Sequence, residues 1–375
     1  MHCWPSHARH GALFRTGNHQ LEAAIDTEMN QKRLFILPLL LLAFVALHAQ
    51  KQHNLYAVGF YNLENLFDYT HDEGKQDQEF LPTGSYHWDQ TKYESKLANL
   101  SRVLSEMGTD GIPGIGCALI GVAEVENDHC LRDLVAQKPL QERGYRYVHI
   151  EGPDPRGVDC ALIYNPKLFK IRDVKLIPYV YDLPADSNRA TRGFLTVGGK
   201  LAKTHLTIIA CHWRSRGAGS YYRELAAKQV KAIKDSILQH EPKTKVLIMG
   251  DMNDDPTNRS MHEVLRAKGK MEEVGTDDMY NPWYSVLVKE KTGTLCYRGQ
   301  WNLFDQIVLS PNLLPLSDTK KQKGLRYLRH EVFRRDYLFR TDGKWAGYPK
   351  RTTAGGQWLN GYSDHLPTVI YLTTK

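Results

Sequence analysis

The sequence predicts an α/β layered fold in which helices cover a core of packed β-sheets. Short apolar runs rich in β-branched residues recur along the chain, and their lengths and flanking turn residues are typical of strands. Longer segments with apolar residues at helical spacing alternate with some of these runs. Many short strands with a few long helices favour layered packing. Periodicity alone leaves open whether one sheet or two lies inside.

Nine runs are predicted as strands and two segments as helices. The first helix follows Asp89, which we expect to cap it, and places apolar residues from Tyr93 to Met107 at helical spacing. The second helix runs from about Tyr221 to Leu238. The predicted strands are 55–61, 118–123, 145–150, 159–164, 194–197, 206–211, 245–249, 303–309 and 368–372.

The composition bounds the class of protein. Of the 375 residues, 42% are hydrophobic and 24% are charged, which argues for a real core and against a disordered chain, a collagen or a disulfide scaffold. No internal repeat and no Ser/Gly linker divides 50–375, so we expect a single domain there. The formal net charge of +7 favours an anionic partner without naming one.

The N-terminal region has the pattern of an export signal. Lys32 and Arg33 precede an unbroken apolar run, 34–47, which is too short to span a bilayer comfortably. We therefore predict a signal peptide over 29–49 with cleavage near Ala49, a periplasmic or secreted mature chain and no stable membrane anchor. An N-terminal anchor or a buried helix is the alternative.

Residues 1–28 precede this signal and lack any periodic pattern. Met29 stands just before the basic residues of the signal. We therefore predict that the true start is Met29 and that 1–28 is a non-native N-terminal extension.

The cysteines do not form a recognisable framework. Cys117, Cys160 and Cys211 lie within or beside apolar runs, where a buried free thiol is the default expectation. There is no Cys-x-x-Cys pair and no Cys/His cluster at zinc spacing. One disulfide stays open in an oxidising compartment.

Polar residues gather just beyond the ends of the predicted strands. Taken alone, each has an ordinary explanation as a solvated strand end, a turn, a cap or a satisfied buried histidine. Six such sites together are harder to explain that way, because reactive groups are often placed on loop ends that rigid strands hold. The candidates are Asn62 with Glu64, Glu124, His212, Asp251 with Asn253, Asp305, and Asp364 with His365.

This set of groups fits metal-assisted attack of water on a phosphate ester. A hard cation such as Mg²⁺ takes one or two carboxylates and keeps its other positions for water and phosphate oxygens. An aspartate can deprotonate the nucleophile, an asparagine can orient an oxygen, and a histidine can donate to phosphoryl oxygens as charge builds. A carboxylate beside that histidine fixes its tautomer and raises its basicity.

In identity and order these residues resemble the endonuclease/exonuclease/phosphatase superfamily, which includes pancreatic deoxyribonuclease and abasic-site endonucleases. The resemblance covers about Tyr56 to Leu372, and its most specific pieces are Gly250-Asp251-x-Asn253 and Ser363-Asp364-His365-x-Pro367. Residues 61–68 and 124–127 also look like the secreted bacterial branch. The resemblance implies a four-layered α/β sandwich, in which two mixed β-sheets pack face to face with helices outside.

The resemblance also implies a role for each residue on the metal side of the site. Glu124 would be the main Mg²⁺ ligand, with Asn62 and Glu64 beside it, and Mn²⁺ is a possible substitute. Asp251 would be the base or water-orienting group. Asn253 would hold the phosphate or the nucleophile.

The remaining roles follow the same resemblance. His365 would stabilise the phosphoryl transition state, oriented by Asp305, while Asp364 would contact a metal or its waters. His212 would match the acid-side histidine of deoxyribonuclease-like members. Where a glutamate often accompanies that histidine, this sequence offers only Asp159 nearby, which leaves the leaving-group acid open.

Two features bear on the substrate. Arg214 and Arg216 follow His212 closely, where bidentate contacts to phosphate would be useful, and with Asp159 they are the substrate-binding candidates. Residues 318–351 contain eleven Lys/Arg and four Asp/Glu with aromatic residues interleaved, a mixture that can grip phosphates and stack bases. The alternative is a solvated insertion whose aromatic rings pack on the core.

The sequence therefore predicts an exported, Mg²⁺-dependent phosphodiesterase, most simply a nuclease acting on DNA or RNA. A phosphatase or a sphingomyelinase-like lipid-headgroup phosphodiesterase is the alternative among hydrolases, and a binding protein on the same scaffold is the alternative outside them. No Walker sequence, Gly-x-Ser-x-Gly elbow or His-Glu-x-x-His helix is present.

Overall fold

A computed structural model describes residues 55–315 and 324–374. The predicted signal peptide and the predicted N-terminal extension lie outside these residues. In the part of the chain that is described, no helix is long and apolar enough to cross a membrane.

Seventeen strands and five α-helices make up the described chain. The strands are β1 (Leu55–Leu66), β2 (Cys117–Val125), β3 (Arg146–His149), β4 (Asp159–Tyr164), β5 (Phe169–Ile177), β6 (Phe194–Leu201), β7 (Thr204–His212), β8 (Lys245–Asp251), β9 (Ala267–Lys268), β10 (Met279–Tyr280), β11 (Leu295–Tyr297), β12 (Gln300–Asn302), β13 (Asp305–Leu309), β14 (Arg326–Val332), β15 (Thr353–Ala354), β16 (Gln357–Trp358) and β17 (Thr368–Thr373). The helices are α1 (Gln90–Glu106), α2 (Asp128–Ala136), α3 (Lys138–Gln141), α4 (Ser220–His240) and α5 (Trp283–Val288).

Two large mixed sheets contain most of the strands. The first has the order β14-β17-β1-β2-β4-β3, and the second has the order β5-β6-β7-β8-β13-β10-β9. Strand β1 runs parallel to β2 and antiparallel to β17, and β7 runs parallel to β8 while β13 runs antiparallel to it. Two further pairs, β11-β12 and β15-β16, form small hairpin sheets.

The sheets pack face to face with helices on the outer faces. Along β1, Val58 and Phe60 point into the core between the sheets, whereas Tyr61 packs with α1 on the outer side. Along β8, Met249 points into the same inner core, whereas Ile248 packs against α4. This alternation follows from the two-residue period of a strand with both faces buried. The four-layered α/β sandwich is confirmed.

Most of the longer strands and helices were predicted correctly from the sequence. All nine predicted runs contain strands, and both predicted helices form, with Asp89 accepting a hydrogen bond from the Lys92 amide at the start of α1. Strand β5 was missed because polar residues alternate with apolar ones on this edge strand, and β14 lies inside the segment read as a charge run. The buried Cys117, Cys160 and Cys211 are free thiols, as predicted.

Candidate active site

The topology brings the predicted polar residues to one edge of the sandwich. The parallel pairing of β7 with β8 sets His212 beside Asp251, and the antiparallel pairing of β13 with β8 sets Asp305 beside the same aspartate. In the first sheet, the parallel pairing of β1 with β2 carries Asn62 to the same end as Glu124. The strand ends predicted from sequence therefore meet across the two layers.

Glu124 stands on a distorted part of β2. It falls at a register shift in the pairing of β2 with both neighbouring strands, and its φ of 62° lies in the left-handed region. Such a conformation in a residue other than glycine costs about 1–3 kcal/mol and recurs at functional sites, and bulges re-aim side chains there. Its carboxylate is partly exposed, and one of its oxygens accepts the Asn65 amide at 2.9 Å.

Asn62 links the carboxylates of the two sheets. Its Nδ2 donates to Glu124 Oε1 at 3.2 Å and to Asp251 Oδ2 at 3.0 Å, while its Oδ1 accepts the Glu64 amide at 2.9 Å. The backbone carbonyl of Asn62 accepts the Ser363 hydroxyl at 2.7 Å. Asn62, predicted as a metal ligand, therefore serves in this arrangement to hold the two acids at a fixed separation.

His365 and Asp305 form a buried pair. Nδ1 of His365 lies 2.7 Å from Asp305 Oδ2, which leaves Nε2 facing Asp251 Oδ2 at 3.8 Å and Asp364 Oδ1 at 4.0 Å. Burial alone would lower the pKa of His365, but the carboxylates of Asp305 and Asp251 raise it well above its ordinary value. The imidazole is thus a cation held at the edge of the site.

The pKa values of Asp251 and His212 are shifted in opposite directions. Burial and repulsion from Asp305 raise the pKa of Asp251 to about 7, although the attraction of His365 lowers it. Burial, together with nearby Arg192 and Arg156, lowers the pKa of His212 well below its ordinary value. This shift favours the neutral imidazole, which can donate one hydrogen bond, and the acid-side role that the resemblance implies stays a prediction.

Glu64 faces a network of cations. Its Oε1 accepts Arg351 Nε at 3.0 Å and its Oε2 accepts the Thr352 amide at 2.7 Å. The same guanidinium reaches Asp364 Oδ2 at 3.1 Å, and Lys96 Nζ donates to the Thr352 hydroxyl at 2.6 Å. Burial and the charge of Asp364 raise the pKa of Glu64 to about 7. Both Glu64 oxygens are thus engaged within the protein, and Asp364 is tied to the same arginine.

A cavity of about 340 Å³ opens at this edge of the sandwich. Among its lining residues, Arg156, Arg192 and Ser215 were missed by sequence reasoning. Arg192 is buried, pairs with Asp154 at 3.0 Å and donates to the carbonyl of Trp213 at 2.9 Å. The only sequence feature that could have identified Arg192 as a cavity residue is its position just before β6. The remaining lining residues are Glu124, His212, Arg214, Asp251, Asn253 and His365.

The substrate-binding candidates separate in the structure. Arg214 lines the cavity, but Arg216 stacks on Phe304 and donates to Asp255 at 2.9 Å. Arg216 also donates to the carbonyl of Asn253, so it supports that loop. Asp159 is not among the lining residues, and its carboxylate accepts the Gly152 amide and lies 3.2 Å from His149.

Asn253 completes the turn after β8. Its backbone amide donates to Asp251 Oδ1 at 2.9 Å, and its side-chain Nδ2 donates to the Trp213 carbonyl at 3.1 Å. Its φ of 49° is one that asparagine tolerates better than most residues. This turn fixes the Asp251 carboxylate against the cavity, with its other oxygen directed at Asn62 and the histidines.

The donor set fits a hard divalent cation. Ligand atoms of Glu124, His212 and Asp251 lie within 4.8 Å of one another. Those of Asp251, Asp305 and His365 lie equally close, but a cationic imidazole has no lone pair to offer a metal. Buried Nδ1 of His212 and Oδ1 of Asp305 have no hydrogen-bond partner among the described residues. Hard divalent cations prefer carboxylate oxygens, so Glu124 with Asp251 would hold the cation.

Comparison with known proteins decides the family. Residues 57–374 match the family described as the Endonuclease/Exonuclease/phosphatase family. The chain belongs to this family. Enzymes of the family are phosphoric ester hydrolases that are typically dependent on a divalent metal, and the chain is an enzyme of this class. No curated protein matches the sequence.

Solved structures share the fold at low sequence identity. An endonuclease/exonuclease/phosphatase family protein from Bacteroides thetaiotaomicron is 16% identical, with 86% of this chain and 95% of that chain covered and a TM-score of 0.52. A mannosyl-6-phosphatase from the same organism is 17% identical, with coverages of 85% and 99% and a TM-score of 0.51. D. rerio TDP2 complexed with a single-strand DNA product is 13% identical, with coverages of 85% and 99% and a TM-score of 0.50.

Proposed function

We propose that this enzyme is a Mg²⁺-dependent phosphodiesterase that cleaves nucleic acid. The observation that carries the proposal is the convergence of Glu124, Asp251 and His365 on one cavity, with Asn62 bonded to both acids. A carboxylate pair facing a buried cationic imidazole suits a reaction in which negative charge builds on phosphoryl oxygens.

The protein groups divide the reaction between them. Asp251 accepts the proton of the attacking water, and Asn253 orients the phosphate or the nucleophile. His365, kept cationic by Asp305, donates to a phosphoryl oxygen as charge increases. His212 donates its N–H to a second phosphoryl oxygen, and the leaving oxygen takes a proton from water. A divalent cation held by Glu124 and Asp251 supplies charge neutralisation when it is bound.

The walls of the cavity favour a substrate with more than one negative charge. Arg156, Arg192 and Arg214 line the same cavity as Glu124, Asp251 and His365. Arginine forms bidentate hydrogen bonds with phosphate oxygens, and polyanions bind through several such contacts. The single-strand DNA product of the D. rerio neighbour gives a precedent within the fold, so we place a nucleic acid before other phosphodiesters.

We also propose that the enzyme is exported. The proposal rests on the basic, apolar and small-residue order of 29–49. Fractionation of cells that produce the full chain, with N-terminal sequencing of the mature form, tests it. A mature N-terminus close to Gln50 in the periplasm or medium is expected, and retention of 34–47 on the exported protein would contradict it.

A substrate panel tests the proposed chemistry. The panel contains single-stranded and duplex DNA, RNA, a sugar phosphomonoester, sphingomyelin and a phosphoinositide, each with Mg²⁺ and with chelator. Nucleic acid cleavage that needs Mg²⁺ is expected. Faster hydrolysis of the phosphomonoester than of any diester would assign the enzyme to the phosphatases, and faster turnover of a lipid would assign it to the headgroup phosphodiesterases.

A further inference from the structure

A second cavity adjoins the catalytic one. Its volume is about 350 Å³, and Arg351 and Asp364 lie in its wall. Asp364 Oδ1 is 4.0 Å from His365 Nε2, so this space begins at the edge of the catalytic cluster. We name it the aromatic–basic cavity, after Tyr297, Arg298, Arg340, Trp345, Tyr348 and Arg351 in its lining.

One wall is the tip of the β11-β12 hairpin. Arg298 and Gly299 form its two-residue loop with φ values of 50° and 81°. This turn favours Asn-Gly, because its first position requires a positive φ that asparagine tolerates and arginine disfavours. The turn places Arg298 in the lining of the cavity. Its guanidinium lies 5.2 Å from the centre of the Tyr297 ring, which is 61% exposed.

The facing wall is an ordered loop. The Arg340 amide donates to the Tyr348 carbonyl at 2.9 Å, and the Gly347 amide returns to the Arg340 carbonyl at 2.8 Å. These bonds present Trp345, which is 40% exposed, and Tyr348 edge to face with ring centres 5.2 Å apart. The aromatic residues of the basic segment thus divide: Tyr327 and Phe333 are buried in the core, and these two reach the cavity.

The charges of the cavity identify the ligand chemistry. Within 55–315 and 324–374, neither Arg298 nor Arg340 forms an ion pair with a carboxylate, whereas Asp364, the one acidic residue of the lining, is bonded to Arg351. The lining therefore carries a net positive charge, from Arg298, Arg340 and Arg351 against the single carboxylate of Asp364. Exposed aromatic rings with free guanidinium groups suit a planar base that carries a phosphate.

We propose that the aromatic–basic cavity binds the nucleotide unit next to the scissile phosphate of a single-stranded nucleic acid. Its base stacks on Trp345 or Tyr297, and its outer phosphate contacts Arg298 and Arg340. This inference rests on the proposed function. If the cavity binds a nucleotide, the enzyme should prefer a diester in which the leaving or retained group is a nucleotide to a diester in which both groups are compact organic groups.

The kinetic test compares a single-stranded oligonucleotide with bis(p-nitrophenyl) phosphate. Arg298→Asn keeps a residue that the turn favours while it removes the charge, and Trp345→Ala removes the exposed ring. Each is expected to lower the ratio of kcat/KM for the oligonucleotide to kcat/KM for the small diester about tenfold, chiefly through KM. Trp358→Ala, at an exposed tryptophan of β16 outside the cavity, is the matched control. An unchanged ratio in both cavity variants would overturn the proposal.

A binding test is independent of turnover. Cys296 lines the cavity and is half-buried, whereas the other four cysteines of the described chain are buried. In the wild type, AMP or dTMP should slow the alkylation of Cys296 at least threefold. In Arg298→Asn the nucleotides should no longer protect Cys296. Comparison of AMP with dTMP distinguishes a preference for RNA from one for DNA. If nucleic acid is not hydrolysed but protection is seen, the proposed function fails and the binding site stands. If neither nucleotide protects Cys296, or if only a sugar phosphate protects it, the proposed binding site is overturned.

Discussion

Nδ1 of His365 and Oδ2 of Asp305 are 2.7 Å apart, and this contact joins the two sheets at the active site. Asp305 opens β13 in the second sheet, and His365 lies just before β17 in the first. Asp305 is fully buried, and its other oxygen has no partner among the described residues. The carboxylate therefore acts mainly on the imidazole, which it keeps charged and oriented.

Asp305→Asn tests this pair. The amide has the shape of the carboxylate but no charge, so His365 loses the main interaction that raises its pKa. We expect kcat for a phosphodiester to fall by about 10- to 100-fold, the usual effect of removing such a supporting carboxylate. The measurement is steady-state kinetics, with Asp278→Asn as a control because Asp278 is also buried but pairs with Arg266. Equal kcat in Asp305→Asn and wild type would show that the charge is not needed.

The Glu64–Arg351 pair is predicted to support stability. In Arg351→Met the buried Glu64 carboxylate keeps only the Thr352 amide and the field of Lys96. We expect the free energy of unfolding to fall by about 2 kcal/mol, below the usual cost for a buried pair because Arg351 is 43% exposed. Urea unfolding measures it. The double variant with Glu64→Gln should recover at least half of the loss, and a strictly additive double variant would contradict the pairing.

His330 is predicted to make stability depend on pH. Burial and Arg329 lower its pKa from 6.5 to about 4 in the folded chain. Between these values the unfolded chain binds a proton that the folded chain does not, so this stability is present above pH 6.5 and lost as pH falls towards 4. His330→Gln should reduce the drop in unfolding free energy between pH 7 and pH 5 by about 2 kcal/mol. His240→Gln, at an exposed position, should not change the drop. Identical pH profiles of His330→Gln and wild type would refute the assignment.

A divalent cation is predicted to stabilise the fold. Glu124 and Asp251 both face the cavity, and a ligand that binds only the native state raises its melting temperature. With Mg²⁺ or Mn²⁺ at about 100 times Kd, the gain is about 2.7 kcal/mol. Calorimetry should show a higher melting temperature with the cation in the wild type and in Glu142→Gln, a control at an exposed position. In Glu124→Gln the melting temperature should rise only slightly, if at all. An equal shift in all three would place the cation elsewhere.

The layers and the main site residues could be predicted because they depend on local patterns. Short runs with both faces buried mark the strands, and polar residues such as Glu124 and Asp251 directly end them. Side-chain partners distant in sequence could not be predicted. Glu64 and Arg351 are 287 positions apart, and Asp154 and Arg192 meet only because two loops fold over one cavity. The bulge that re-aims Glu124 also leaves no clear sequence signal, since it depends on two neighbouring strands at once.

Hydrolysis of a single-stranded oligonucleotide by the purified mature chain with Mg²⁺ tests the assigned active site most directly. Wild type, Glu124→Ala and His365→Ala are compared at equal folded concentration, verified by circular dichroism, and each is repeated with chelator. We expect cleavage by the wild type that chelator abolishes, and a loss of at least 100-fold in each variant. Cleavage that persists in both variants would contradict the site described here.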